Sequence, residues 1–172
     1  MKKLIGFLCL LLCVCVCCAC SGKGELGLYI LAADQMGDSM SAGELGKLAL
    51  QSGRLALRGT DFTGVDWERQ YFAVKPEAVQ SVSTVTAESG GSSLLKTTDK
   101  DIFVWVLDGK ALYAGGFIMG TSNPAEPKDP CLKDMERYSF SIETDGSGED
   151  KRFNKSLYRW FYRQGLIKSE LS

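Results

Sequence analysis

Apolar and polar residues change their spacing repeatedly along the chain, and each spacing predicts an element. The run "GLYILA" at 27–32 is short and apolar and suits a first strand. In "SMSAGELGKLALQSG", Ser41 and Glu44 stand at the spacing of a reciprocal capping box, and Leu45, Leu48 and Ala49 then share a helix face. Gly43 and Gly46 each weaken that helix by about 1 kcal/mol relative to alanine, and Gly53 is placed to end it. "RLALRG" resumes as a strand, with Leu55 and Leu57 on one side and Arg54, Ala56 and Arg58 on the other. "VDWERQYFAV" alternates Trp67, Arg69, Tyr71 and Ala73 against Glu68, Gln70, Phe72 and Val74, which predicts one strand at a sheet edge or loop exit. Pro76 and Glu77 suit the opening of a short helix with Val79 and Val82 inward, and "TAESGGSSLLKTTDK" is loop by composition.

The clearest structural signal is "DIFVWVLDGKALYAGGF". Asp108-Gly109 is the pair favoured in a two-residue turn with positive φ at both positions. Setting Leu107 opposite Lys110 places Trp105 opposite Leu112 and Val104 opposite Tyr113. Both faces are then apolar, so the hairpin belongs in the middle of the fold with a helix over one side. Pro124, Pro127 and Pro130 make "MGTSNPAEPKDPC" a stiff excursion, either a connector or a binding loop. "RYSFSIET" returns as a strand with Tyr138, Phe140 and Ile142 on one face. The last element is the best helix: Asp150 caps it, Phe153, Leu157, Trp160 and Phe161 form the core stripe, and Gly165 ends it with Leu166 touching Phe161. The pattern predicts one α+β domain over 28–172, with a mixed or antiparallel sheet of four to six strands and two or three covering helices.

Composition narrows the chemistry. The formal charge of −1 and a pI near 5.6 argue against a nucleic-acid binder, which needs many phosphate contacts. Histidine is absent, so acid–base work near neutral pH would need a shifted carboxylate, lysine or cysteine. Asp61, Asp66 and Glu68 are close in sequence, and Asp66 and Glu68 would share a strand face. Ordinary solvated acids explain them better than a paired-carboxylate hydrolase or a calcium loop. No zinc, phosphate-loop or nucleophile-elbow motif occurs, and no cofactor or metal is expected.

The opening "MKKLIGFLCLLLCVCVCCACSGKG" holds six of the seven cysteines. Lys2 and Lys3 precede an uncharged, mostly apolar run over 4–19, short of the roughly 20 residues that a spanning helix needs and within the range of a secretory leader. Adjacent and alternating cysteines lack the paired spacing of a zinc site, and only Cys131 lies elsewhere in the chain to close a disulfide. "CCAC" followed by "SGKGELG" resembles the lipobox of bacterial lipoprotein precursors, with Cys17 where leucine is commonest. The resemblance implies cleavage after Ala19, lipidation of Cys20, and attachment to the cell envelope. Ser21 after the lipidated cysteine implies the outer membrane if the cell has one. Two or three acyl chains hold a protein durably, because each buried methylene contributes about 0.8 kcal/mol. Residues 1–19 are then the leader and 20–27 the lipidated cysteine with a glycine-rich tether. "FVWVLDGKALYAGGF" is also similar to a hairpin in the periplasmic head of the SecD translocation subunit, which implies a compact α+β head and no catalytic residue.

Two features remain as candidate sites. Arg152, Lys155, Arg159 and Arg163 fall on one side of the last helix with Tyr158 and Tyr162 flanking them, and no acid occurs from 151 to 169. The stripe is either a solvated face or a docking surface for anionic lipid, polysaccharide or an acidic envelope protein. Cys131 is a buried small hydrophobe, half of an intermolecular disulfide, or a nucleophile with no histidine to activate it. The sequence thus predicts a membrane-anchored envelope lipoprotein with a structural or interaction role. A ligand- or glycan-binding module is the alternative, and a carboxylate-dependent hydrolase ranks last.

Overall fold

Asp108 and Gly109 take φ of 52° and 77°, and the turn they make joins β5 (Asp101–Leu107) to β6 (Lys110–Ile118). In the computed structural model, which describes residues 25–36, 40–78, 95, 97, 101–118, 130–136, 138–144 and 150–168, Leu107 pairs with Lys110 as the turn dictates. Further along, the register differs from the predicted one: Trp105 faces Tyr113 and Val104 faces Ala114. A bulge absorbs the extra residue. It lets Leu112 and Tyr113, neighbours in sequence, both serve the inner core while Ala111 and Ala114 face the outer one.

The other strands are β1 (Leu26–Ala32), β2 (Arg54–Arg58), β3 (Phe62–Asp66), β4 (Tyr71–Val74), β7 (Cys131–Glu136), β8 (Ser139–Glu143) and β9 (Ile167–Lys168). They form one sheet of nine strands in the order β2-β1-β5-β6-β7-β8-β4-β3-β9. Only the β6/β7 and β3/β9 pairings are parallel. The fold is α+β with a mixed sheet, and it holds more strands than the expected four to six. The additional ones have weak patterns: β3 contains Gly64, β7 follows the proline-rich excursion, and β9 is a single pair of residues. None of these carries a sustained apolar alternation.

The sheet curls. Phe62 on β3 meets Trp105 on β5 with ring centroids 5.6 Å apart, although β6, β7, β8 and β4 lie between them in the sheet. Phe72 stacks on Phe140 at 5.0 Å, directly across the β4/β8 ladder. The inner core so enclosed is closed by Leu157 and Phe161 of the last helix. On the outer face, the first helix, α1 (Ala42–Ser52), sets Leu45, Leu48 and Ala49 against Val104, Val106 and Ala111. The hairpin is therefore covered on both sides, as its two apolar faces require.

The start of α1 follows its capping signal. Glu44 N–H donates to Ser41 Oγ at 3.3 Å, and Ser41 N–H donates to the Glu44 carboxylate at 2.9 Å. Gly43 has open space where a Cβ would stand. Gly43→Ala should therefore raise stability by about 1 kcal/mol, read as a higher urea midpoint at unchanged slope.

Three local expectations are corrected. The chain over 65–74 is a hairpin, because the Asp66 carboxylate accepts the Arg69 N–H at 3.0 Å and Gln70 takes φ of 51°, turning β3 into β4. Only Tyr71–Val74 of the predicted alternation after the turn is strand. Leu26, assigned to the tether by sequence, belongs to β1, where it pairs with Leu107 and is buried. A helical turn starts at Pro76 as expected, with Ala78 N–H donating to the Lys75 carbonyl. Val79 and Val82, most of the loop after them, and residues 119–129 of the proline-rich excursion lie outside the described residues.

Candidate functional site

The C-terminal helix is built in two pieces. Asp150 caps a 3₁₀ turn over Lys151–Phe153, where its carboxylate accepts the Arg152 N–H at 3.1 Å. Asn154 then caps the α-helix proper, α2 (Lys155–Arg163), with its Oδ1 accepting from Ser156 and Leu157 N–H. The predicted single helix capped by Asp150 is corrected accordingly. The break turns Phe153 out of the core stripe, leaving it 44% exposed. At the other end Gly165 adopts φ of 68°; its N–H donates to the Tyr162 carbonyl and that of Leu166 to the Phe161 carbonyl. Leu157 and Phe161 point into the inner core.

The basic stripe divides. Arg152 turns inward, its guanidinium 2.6 Å from the Asp150 carboxylate and 3.0 Å from the Ile142 carbonyl. This pairing raises the guanidinium pKa and holds the Asp150 carboxyl below the usual carboxylate range. Arg152 is a structural clamp between β8 and the 3₁₀ turn that precedes α2, and leaves the predicted binding face. Lys155, Arg159 and Arg163 remain, one turn apart on the outer side of α2 and exposed. Among the described residues none of these three makes a salt bridge.

Tyr158 and Tyr162 stack at 5.9 Å beside this row, with Tyr162 65% exposed. Trp67, from the turn between β3 and β4, packs edge-on against Tyr158 at 5.3 Å and against Phe153 at 6.1 Å. The result is a continuous row of four rings, Phe153, Trp67, Tyr158 and Tyr162, running beside a row of three cations. Trp67 and Phe153 were placed elsewhere by sequence: one in a strand, the other in the core. The signal that could have found Trp67 is the Asp66 to Arg69 spacing of a side-chain-closed turn. Arg69 in the same turn has its side chain 75% exposed and pairs with the Asp66 carboxylate at 3.8 Å.

The grouped acids serve the backbone. Asp61 accepts the Arg58 N–H at 2.7 Å, Asp66 holds its turn, and Glu68 lies within that turn, off the strand face it was expected to share. Among the described residues no group of acids, cysteines and histidines is arranged to hold a metal. Cys131 opens β7, half-buried, its Sγ facing Gly116, and forms no disulfide with any described residue. Burial pushes the Tyr113 phenol far above its ordinary range, with the Trp105 indole acting the other way, so it stays neutral.

Two clefts flank these surfaces. One of about 780 Å³ lies between the start of α1 and β6, with Met36, Met40, Leu45, Ile102 and Ala114 in its walls. The other, about 750 Å³, runs between the entry to β1 and α2, lined by Glu25, Arg58, Asp108, Trp160 and Gln164. The Trp160 ring lies on Gly59, where a Cβ would stand 2.4 Å from it. Among the described residues no helix is long and apolar enough to cross a membrane. No protein-family model, no curated protein and no solved structure matches the chain.

Proposed function

We propose that the protein is a lipid-anchored component of the bacterial cell envelope that works by docking, with no catalytic step, through the outer face of α2. The observation that carries this reading is the row of exposed rings beside Lys155, Arg159 and Arg163. Residues 151–169 contain no acid in a chain of net negative charge, so positive charge is concentrated on this face. Aromatic rings with polar tips supply contact area, and the cations supply orientation. The engagement of Asp61 and Asp66 in a cap and a turn supports a non-catalytic role. A second reading, a ligand- or glycan-binding lipoprotein, draws on the apolar cleft beside α1, whose two methionines suit an adaptable wall.

The anchor is tested by intact mass. Protein extracted from membranes with detergent should begin at Cys20 and carry two or three acyl chains. With Lys2 and Lys3 removed, the mature chain holds 18 basic and 21 acidic side chains, so its net charge falls from −1 to −3. A mature protein that still begins at Met1, or that washes from membranes in plain buffer, overturns the anchored reading.

A further inference from the structure

We infer that the outer face of α2 seats the folded body on the anionic headgroups of the same bilayer that holds its anchor, giving a two-point attachment. This rests on the envelope anchoring proposed above for the closeness of the bilayer, and on the α2 face for the contact itself.

The argument begins with reach. Five peptide steps separate Cys20 from Glu25, and fully extended they span about 18 Å. Glu25 is already part of the body: its N–H donates to Asp108 Oδ1 and its carbonyl accepts the Asp108 N–H, both at 3.2 Å. The body therefore cannot leave the membrane by more than about twice the width of a helix. Nor is the exit point remote from α2, because Glu25, Trp160 and Gln164 line one cleft. Trp160 and Gln164 form the helix row next to that of Lys155, Arg159 and Arg163, so the tether leaves beside the basic ridge.

Such proximity converts a weak surface affinity into an intramolecular one. The ridge meets the requirement of complementary charge with three exposed cations on α2, Lys155, Arg159 and Arg163. The acids near this region are Asp108, which accepts the Glu25 N–H, Asp150, neutralised by Arg152, Asp66, paired with Arg69, and the exposed Glu25 and Glu68 at its two margins, so the positive charge is concentrated on α2 itself. Tyr158, Tyr162 and Trp67 have the amphipathic rings that settle at the headgroup level of a bilayer. A convex helix ridge also suits a flat, laterally mobile array of anions better than it suits a chain that must be gripped in a groove.

The test reconstitutes the full chain into vesicles of phosphatidylcholine alone or mixed with phosphatidylglycerol. Energy transfer is read from tryptophan to dansyl-labelled headgroups. Trp67 lies beside the face and Trp160 in the adjoining helix row, whereas Trp105 sits deeper in the core and reports the same approach more weakly. Transfer should be stronger in the mixed vesicles and fall to the neutral-lipid level in high salt, where the screening length drops to about 3 Å. Arg159→Glu with Arg163→Glu should shift the seated-to-lifted equilibrium on the order of 100-fold and abolish the lipid dependence. Both side chains are exposed, so unchanged near-UV dichroism will show that the variant is folded. Equal transfer in the two lipids overturns the inference, as does lipid dependence that survives the double reversal. Capture of a soluble acidic polysaccharide or protein by the same face without lipid dependence also overturns it. A chain held by an uncleaved leader would still report seating, so this experiment and the mass measurement fail separately.

Discussion

Phe161→Ala is expected to cost about 3–5 kcal/mol of folding stability, the range for emptying a large aromatic site in a close-packed core. Phe161 is fully buried, with its ring 5.3 Å from that of Phe62, 5.8 Å from Phe72 and 6.0 Å from Trp105. These partners belong to β3, β4 and β5, so the side chain ties strands that the curl brings together from separate parts of the sheet to α2. The surrounding rings are anchored on separate strands and cannot collapse into the space left behind. For a chain of this length about 2–4 °C accompanies each kcal/mol, so the thermal midpoint should fall by about 10 °C or more. Phe161→Leu, which refills most of the volume, should recover much of the loss. Because α2 is held largely through Leu157 and Phe161, Phe161→Ala should also weaken the seating of its outer face. A loss below about 1 kcal/mol would mean that α2 is not packed into the inner core.

Gly46→Ala should destabilise by about 1–3 kcal/mol, although the same change at Gly43 in the same helix is expected to stabilise. A Cβ on Gly46 would stand 2.4 Å from the Gly109 carbonyl oxygen and 2.8 Å from the Ala111 nitrogen. Both are backbone atoms of the central hairpin, which is held by β1 on one side and β7 on the other and cannot yield as a side chain tip would. Helix α1 must then lift from Val104, Val106 and Ala111, losing outer-core contact along its length. Parallel urea titrations of the two alanine variants measure both signs at once. Equal gains in the two would refute the close approach of α1 to the turn.

Much of the secondary structure was legible from residues that act on their near neighbours. Asp108-Gly109 specifies its turn through two positive φ angles, Ser41 and Glu44 specify the start of α1, and Gly165 specifies the end of α2. The face of α2 that holds Leu157 and Phe161 was equally plain, since a four-residue spacing repeats on one side of a helix. The candidate face was legible only in part. Its cations and tyrosines follow from helix periodicity. The inward capture of Arg152 depends on a carbonyl of β8, and the approach of Trp67 depends on how β3 turns into β4.

The sequence by itself determined an α+β domain, the central hairpin, and the buried face of each α-helix, because these depend on contacts within about four residues and on burial preference. Tertiary structure alone decided the bulges that turn Leu112 and Ala56 inward, the curl that joins β3 to β5, and the meaning of Gly46 as a point of contact. Those features arise where chain segments far apart in sequence compete to fill one volume, and the spacing within any one segment carries no record of which partner it will meet.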